Sequence, residues 1–96
     1  SGSGPAYFFR FVEAMVDGAK ALGLSDADAT TLTVQTIVGA AKLLDESGKS
    51  ATTLRENVTS PNGTTAAALA SFESHQLGDV VAHAMKAARD RSQELA

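Results

Sequence analysis

The sequence predicts an all-α protein, a bundle of about five helices that is intertwined in a homodimer. Hydrophobic residues fill 44% of the 96 positions but aromatic residues only 5%, a composition that favours closely packed helices over sheets. Apolar residues recur at three- and four-residue spacing, and glycine, proline and serine interrupt the repeats. A chain of this length makes one small domain, which buries only about two-thirds of the surface that its unfolded form exposes.

The first predicted helix begins after Ser3, its N-cap, with Pro5 near the first helical position. Gly23 followed by the apolar Leu24 predicts a Schellman stop at the other end. The apolar face of this helix contains Phe8, Val12, Met15, Ala19 and Leu22.

The second predicted helix begins near Asp26, where Ser25 and Asp28 form a pattern similar to a capping box, and it ends at Gly48. Because only two or three residues link it to the first helix, the two are expected to form a helical hairpin. Its buried stripe is predicted to contain Leu32, Ile37, Val38, Ala41 and Leu44.

Three further helices are predicted in the second half of the chain. Ser50 caps a short helix that extends through Asn57, and a turn at residues 60–63 separates it from a fourth helix at residues 65–72. The fifth helix is expected from about Gln76 to Glu94. Its apolar face contains Leu77, Val80, Val81, Ala84, Met85 and Ala88.

The fourth predicted helix has almost no polar side, so it needs cover on all faces. A 96-residue monomer supplies little cover beyond the helices already paired, and an exposed apolar surface of that size favours self-association. The sequence therefore predicts a homodimer. Small residues that would let helices of two subunits approach closely are Gly39, Ala66, Ala67 and Ala70.

Charge and composition exclude several classes of partner. The net charge is −3, the pI is about 5.2, and the eight basic residues are scattered, so no nucleic-acid partner is expected. No apolar run reaches about 18 residues and no signal peptide is present, which argues against a membrane protein. The lack of cysteine excludes disulfides and thiolate chemistry and favours a cytoplasmic location.

The turn before the fourth helix is the strongest candidate for a binding site. Pro61 fixes the chain before Asn62 and Gly63, the two residue types that most readily adopt a positive φ. Thr64 and Thr65 follow, where the first N–H groups of a helix lack intrahelical partners. These groups and the positive end of the helix dipole favour a carboxylate or a phosphate. The alternative interpretation is that both threonines simply cap their own helix.

His75, Asp79 and His83 stand four residues apart on the fifth predicted helix, a spacing that metal ligands on one side of a helix can have. At 100° per residue they lie opposite the apolar face of the fifth helix, so we interpret them as a solvated surface. No metal is expected.

Two segments of the chain carry longer motifs, SGSGPAYFFRFVEAM at residues 1–15 and LRENVTSPNGTTAAALASFE at residues 54–73. They resemble signature segments of the pyrroline-5-carboxylate reductases, the last enzymes of proline biosynthesis, and the resemblance extends from Ser1 to about Glu94. That family usually carries Gly-Gly where this chain carries Asn62 and Gly63. Asparagine tolerates a left-handed backbone, so the turn is expected to be kept.

The resemblance implies that residues 1–96 are the C-terminal dimerisation and substrate-binding domain of an enzyme that reduces 1-pyrroline-5-carboxylate to L-proline with NADPH or NADH. The N-terminal Rossmann domain of the family, which binds most of the cofactor, is then expected to be absent from this chain. The isolated fragment is accordingly expected to be inactive. The resemblance also implies a homodimer with the active site near the interface, and some family members form rings of five dimers.

By the same resemblance, Thr64 and Thr65 hold the carboxylate of the substrate, and Asn57 contacts the nicotinamide cofactor. Gly63 and Ser60 are assigned to the same substrate site, with turn capping as an equal alternative for Ser60. Thr65 is the catalytic candidate nearest the imine nitrogen. Because an alcohol is too weak an acid to protonate an imine unaided, its expected role is to orient the ring.

A second hypothesis, from a different class, is a non-catalytic helical module for self-association or partner binding. It accounts for the apolar fourth helix equally well. It does not explain why a Pro-Asn-Gly turn and two threonines precede that helix.

Overall fold

The structure is a computed structural model that describes residues 2–96; Ser1, the first residue of the opening motif, lies outside them. The described residues form five α-helices and no strand, so the all-α prediction is confirmed. Among these residues, no helix combines the length and hydropathy that a membrane span requires. The helices are α1 (Gly4–Ala21), α2 (Asp26–Ser47), α3 (Ala51–Asn57), α4 (Thr64–Ser74) and α5 (Leu77–Leu95).

The link between α1 and α2 contains a Schellman motif, as predicted. The Leu24 N–H donates to the Ala19 carbonyl at 3.2 Å, and the Gly23 N–H donates to the Lys20 carbonyl at 3.0 Å. Gly23 adopts a φ of 110°, which few residues other than glycine accept. This motif ends α1 and turns the chain directly into α2.

Side-chain caps fix the starts of α2 and α3 as predicted. The Ser25 Oγ accepts a hydrogen bond from the Asp28 N–H at 3.1 Å, and the Ser50 Oγ accepts one from the Thr53 N–H at 3.1 Å. Gly48, with a φ of 72°, ends α2 in the left-handed conformation that C-caps favour. The helix limits in this region therefore follow from local hydrogen bonding.

Packing divides the chain into two units, the first ending at Lys49 and the second beginning at Ser50. In the first unit α1 packs against α2, which confirms the predicted helical hairpin. In the second unit α4 packs against α5.

The prediction of a buried stripe on α2 is wrong for the chain taken alone. Leu32 and Val38 are 53% and 60% exposed, and the buried residues of α2 are Ala29 and Thr33. A hydrophobic repeat identifies the helix face that needs a neighbour, but it does not say whether the same chain supplies that neighbour. The apolar faces of α1 and α5 are open in the same way, including Phe8, Met15, Leu22, Val80, Val81 and Met85.

Candidate functional site

Residues 60–63 form a tight turn directly before α4. The Gly63 N–H donates to the Ser60 carbonyl at 3.1 Å, and Asn62 has a φ of 62°. Proline at the second position and a positive φ at the third are the pattern of a type II turn. Gly63 itself is extended, with φ −87° and ψ −175°. Of the two residues predicted to adopt a positive φ readily, only Asn62 does so.

The backbone dihedrals of Gly63 are open to any residue, so what distinguishes this position is the limited space beside the Ser60 carbonyl. A Cβ built on Gly63 would lie 3.3 Å from the Ser60 carbonyl oxygen and 3.6 Å from the Ser60 Cβ and Oγ. A contact of 3.3 Å is tighter than most real Cβ contacts, so a side chain here would require the Ser60 carbonyl to shift by a few tenths of an ångström. Proline followed two residues later by glycine is the sequence signal for this turn.

The helix begins at Thr64, one residue before the predicted start, and Gly63 is its N-cap. Since glycine has no side chain, it supplies no cap hydrogen bond. The Ala67 N–H makes a bond to the Gly63 carbonyl at 3.1 Å. The N–H groups of Thr64, Thr65 and Ala66 precede it and have no intrahelical acceptor.

The two threonine hydroxyls are not used for capping. Thr64 is exposed and Thr65 is half-buried, and within residues 2–96 neither hydroxyl makes a hydrogen bond. The structure therefore contradicts the interpretation of Thr64 and Thr65 as N-caps of their own helix. Three backbone donors and two hydroxyls are left for a ligand at one helix start.

The start of α2 shows how the same protein satisfies a helix end with its own side chains. There the Ser25 hydroxyl caps the Asp28 N–H, and the carboxylates of Asp26 and Asp28 lie in the first turn, next to the positive end of the dipole. The first turn of α4 contains no acidic residue and no capping side chain. An external anion at α4 would take the place that these groups occupy at α2.

The two remaining site candidates are Ser60, which is the first residue of the turn, and Asn57, which precedes it. Ser60 contributes its backbone carbonyl to the turn, and its hydroxyl makes no hydrogen bond in the part of the chain that the structure describes. Asn57 is the last residue of α3, and its exposed amide is likewise unpaired among the described residues. The turn thus brings Ser60 and Gly63 directly against the start of α4, whereas Asn57 lies three residues before the turn.

The histidines of the second unit do not form a metal site. His75 ends α4, where its Nδ1 lies 2.8 Å from the Ser71 carbonyl oxygen. His83 is exposed on α5. Within residues 2–96, no three side chains of His, Asp or Glu are placed to hold a metal ion.

These features describe an all-α protein with open apolar helix faces and one helix start that lacks a side-chain cap. Comparison with known proteins is specific: the profile of the family described as pyrroline-5-carboxylate reductase dimerisation matches residues 1–95. The chain belongs to this family.

Reductases from several bacteria are similar in sequence to this chain over its whole length. The pyrroline-5-carboxylate reductase of Pseudomonas aeruginosa is 50% identical over 96 residues, which are 100% of this chain and 35% of that protein. The Vibrio alginolyticus reductase is 49% identical over 96 residues, 99% of this chain and 35% of that protein. The chain therefore spans about a third of the length of the curated relatives it matches.

Solved structures confirm the fold. A pyrroline-5-carboxylate reductase from Coxiella burnetii superposes with a TM-score of 0.96 at 45% identity, covering 100% of this chain and 36% of that one. The Plasmodium falciparum pyrroline carboxylate reductase with NADP bound gives a TM-score of 0.92 at 36% identity, covering 96% of this chain and 37% of that one.

Proposed function

We propose that this chain is the C-terminal dimerisation and substrate-binding domain of a pyrroline-5-carboxylate reductase, which reduces 1-pyrroline-5-carboxylate to L-proline with NADPH or NADH. The observation that carries the proposal is the open start of α4, where three N–H groups and two threonine hydroxyls lack partners within residues 2–96. Family membership supports it, because the named relatives are reductases of this type.

The substrate carboxylate would bind at the start of α4. The N–H groups of Thr64 and Thr65 would donate to its oxygens, and the helix dipole would favour its charge. No acidic side chain in the first turn competes for this position. Ser60 and Gly63 would form the wall of the pocket, and the absence of a side chain on Gly63 leaves the Ser60 carbonyl in place beside the ligand.

Thr65 would orient the imine of the ring. Its hydroxyl makes no bond within the described residues, so it is free to accept or donate to a ligand. An alcohol is too weak an acid to protonate an imine alone, and a hydrogen bond that holds the ring in a reactive orientation is within its chemistry. Water or the protonated imine would then supply the proton.

The nicotinamide cofactor supplies the hydride when it is bound. The unpaired, exposed amide of Asn57 is chemically suited to contact it, since an amide both donates and accepts hydrogen bonds. The described residues contain no strand and hence no βαβ unit, so most of the cofactor would be held by a Rossmann domain outside this chain. The isolated chain is accordingly expected to show no reductase activity.

The partner in assembly would be a second copy of the chain, as the dimerisation family to which it belongs suggests. Higher oligomers of that dimer are compatible with the proposal. The small-molecule substrate and the lack of a membrane-spanning helix among residues 2–96 fit a cytoplasmic enzyme, which is part of the proposal.

A chimera tests the proposed function directly. The matching third of the Pseudomonas aeruginosa reductase is replaced by this chain, and oxidation of NADPH and of NADH is followed with 1-pyrroline-5-carboxylate as substrate. The expected result is substrate-dependent oxidation by the chimera and none by the 96-residue chain alone. A folded, dimeric chimera without activity would contradict the proposal, and so would turnover by the chain alone.

Titration of the chain with L-proline separates this proposal from a purely non-catalytic module. Amide chemical shifts are expected to change at residues 60–66, with L-prolinamide, which keeps the ring and lacks the carboxylate, as the matched control. Shifts that are equal for both ligands, or that are spread over the chain, would argue against a carboxylate site at α4.

A further inference from the structure

The end of α3 is tightly wound just before the turn that contains the candidate site. The Val58 N–H donates to the Arg55 carbonyl at 3.2 Å, and the Thr59 N–H donates to the Glu56 carbonyl at 3.1 Å. Both bonds span three residues and not four, which is a common way for a helix to use its last carbonyl groups. The turn at residues 60–63 begins at the next residue, so no loose segment separates α3 from the candidate site.

The side chain of Thr59 adds a further bond to this helix end. Its hydroxyl donates to the Arg55 carbonyl, which thereby accepts one hydrogen bond from a backbone N–H and one from a side chain. Thr59 is half-buried, whereas its neighbours Val58 and Ser60 are exposed. Among residues 55–65 this is the one side-chain hydrogen bond that the structure contains. The hydroxyl is thus engaged within the chain, in contrast to the hydroxyls assigned to the substrate.

Thr59 lies between the two groups of residues that the proposed function assigns to the ligands. Asn57, the candidate for cofactor contact, lies two residues before it at the end of α3, and Ser60 begins the substrate turn directly after it. The bond between Thr59 and Arg55 spans Asn57 and fixes the direction in which the chain leaves the helix. A change in that direction would move the turn relative to Asn57.

We propose that Thr59 is a positioning residue, whose hydroxyl holds the end of α3 and the substrate turn in one fixed arrangement. The inference rests on the proposed function and adds to it a residue that contacts neither ligand. The physical reason is preorganisation, because a displacement of a reacting group by about 1 Å can cost about 100-fold in rate. A bond made within the chain sets this arrangement before either ligand binds.

The alternative interpretation is that the Thr59 bond only ends α3. Threonine hydroxyls commonly donate to the carbonyl four residues earlier, and Thr36 on α2 makes the same bond to the Leu32 carbonyl at 2.7 Å. Thr36 is exposed and lies inside a 22-residue helix, where backbone bonds on both sides already fix the chain. Thr59 is half-buried and lies where the helical bonds stop, so its hydroxyl has more influence on the path of the chain.

Kinetics of the chimeric reductase test the inference. Thr59→Val keeps the shape of the side chain and removes the hydroxyl, Thr59→Ser keeps the hydroxyl, and Thr36→Val removes the equivalent bond from α2. Thr59→Val is expected to lower kcat/KM about 10- to 100-fold and to raise KM for both 1-pyrroline-5-carboxylate and NADPH, because it releases the link between the two binding groups. Thr59→Ser is expected to recover most of that loss, and Thr36→Val is expected to leave both KM values unchanged.

The two KM values separate positioning from stability. A residue that only stabilises the fold changes the amount of active enzyme, which lowers the apparent kcat and leaves both KM values as they were. Thr65→Val removes a proposed contact to the substrate alone, so it is expected to leave KM for NADPH unchanged. Unchanged KM values for both ligands in Thr59→Val would overturn the inference. An equal effect of Thr36→Val, or no recovery in Thr59→Ser, would overturn it as well.

Amide hydrogen exchange in the 96-residue chain tests the same inference without catalysis. The Gly63 N–H, which closes the turn, is expected to exchange about two- to fivefold faster in Thr59→Val, the effect of about one lost hydrogen bond, and at the unmodified rate in Thr59→Ser. Changes confined to Val58 and Thr59 would show that the hydroxyl only ends α3, and would overturn the inference. An inactive chimera would contradict the proposed function, and the exchange rate of Gly63 would then decide by itself whether Thr59 holds the turn.

Discussion

Thr65→Val in the chimeric reductase is the substitution that tests the catalytic assignment most directly. Valine keeps the β-branched shape and volume of threonine and removes the hydroxyl. Because that hydroxyl makes no hydrogen bond within residues 2–96, its removal leaves no unpaired group in the described chain. The expected change in the free energy of unfolding is therefore within about 0.5 kcal/mol.

The expected loss of activity is much larger than this change in stability. A hydrogen bond aimed at the imine is worth about 1–3 kcal/mol of transition-state stabilisation, which corresponds to a fall of about 5- to 150-fold in kcat/KM. The assay is steady-state oxidation of NADPH at varied 1-pyrroline-5-carboxylate. If the bond is made equally to bound substrate and transition state, the loss appears in KM; if it tightens in the transition state, the loss appears in kcat.

Thr52→Val on α3 is the matched control, since Thr52 is exposed and makes no hydrogen bond within the described residues. It is expected to leave kcat/KM and the Tm unchanged. An unchanged kcat/KM for Thr65→Val would remove Thr65 from the mechanism. An equal loss of kcat/KM in both variants would indicate a general effect of replacing a helical threonine by valine, and not a role of the Thr65 hydroxyl.

Three further substitutions test how individual backbone positions affect the free energy of unfolding, measured by denaturant unfolding at one fixed protein concentration. Gly48→Ala is expected to destabilise each chain by about 1 kcal/mol, because Gly48 has a φ of 72°; no loss would mean that the end of α2 rearranges freely. Gln76→Gly is expected to stabilise by up to about 1 kcal/mol, since Gln76 adopts a φ of 63° before α5, and a clear destabilisation would contradict strain at that junction. Gly39→Ala adds a methyl group that no atom of the same chain contacts, but Gly39 is predicted to lie where helices of two subunits approach closely, so the substitution is expected to destabilise the dimer by about 1 kcal/mol or more. A stabilisation of about 0.5–1 kcal/mol, which is the gain in helix propensity alone, would indicate that no second subunit packs closely against Gly39.

The helix limits were largely predictable because they depend on local chemistry. A serine followed by an acidic first turn predicts the start of α2, and a left-handed glycine predicts its end at Gly48. Both effects act within a few residues, so the sequence contains the information needed. The same reasoning located the turn at residues 60–63.

The details of the candidate site were less predictable. Thr64 and Thr65 have the residue type of N-caps, yet Gly63 takes the N-cap position. The choice depends on the turn, in which the Gly63 N–H pairs with Ser60 and places the chain in an extended conformation before the helix. A glycine N-cap followed by two threonines has the same local composition as a threonine cap, so residue preference alone does not separate them.

Burial was the least predictable feature. The repeat of Leu32, Val38 and Leu44 marks a face that needs cover, and the pattern reads the same whether the neighbour belongs to this chain or to another. In the structure these residues are about half exposed or more, while Ala29 and Thr33 are buried. The period of the pattern identifies one face of the helix, whereas burial of that face depends on how many other helices pack against it.

The composition of α4 suits a helix whose start carries no side-chain cap. A glycine N-cap weakens a helix by only about a few tenths of a kcal/mol relative to serine or asparagine, and the ion pairs found in the described residues lie on α1, α2 and α5. Alanine and leucine, which fill most of the first half of α4, have the highest intrinsic helix propensity. Each alanine in place of an ordinary residue adds up to about 0.7 kcal/mol, so a single alanine is enough to offset the glycine cap. Alanine also has the smallest side chain that keeps this propensity, and it lets another helix approach closely. The same residues thus allow α4 to keep free N–H groups at its start and to pack against a neighbour along its length.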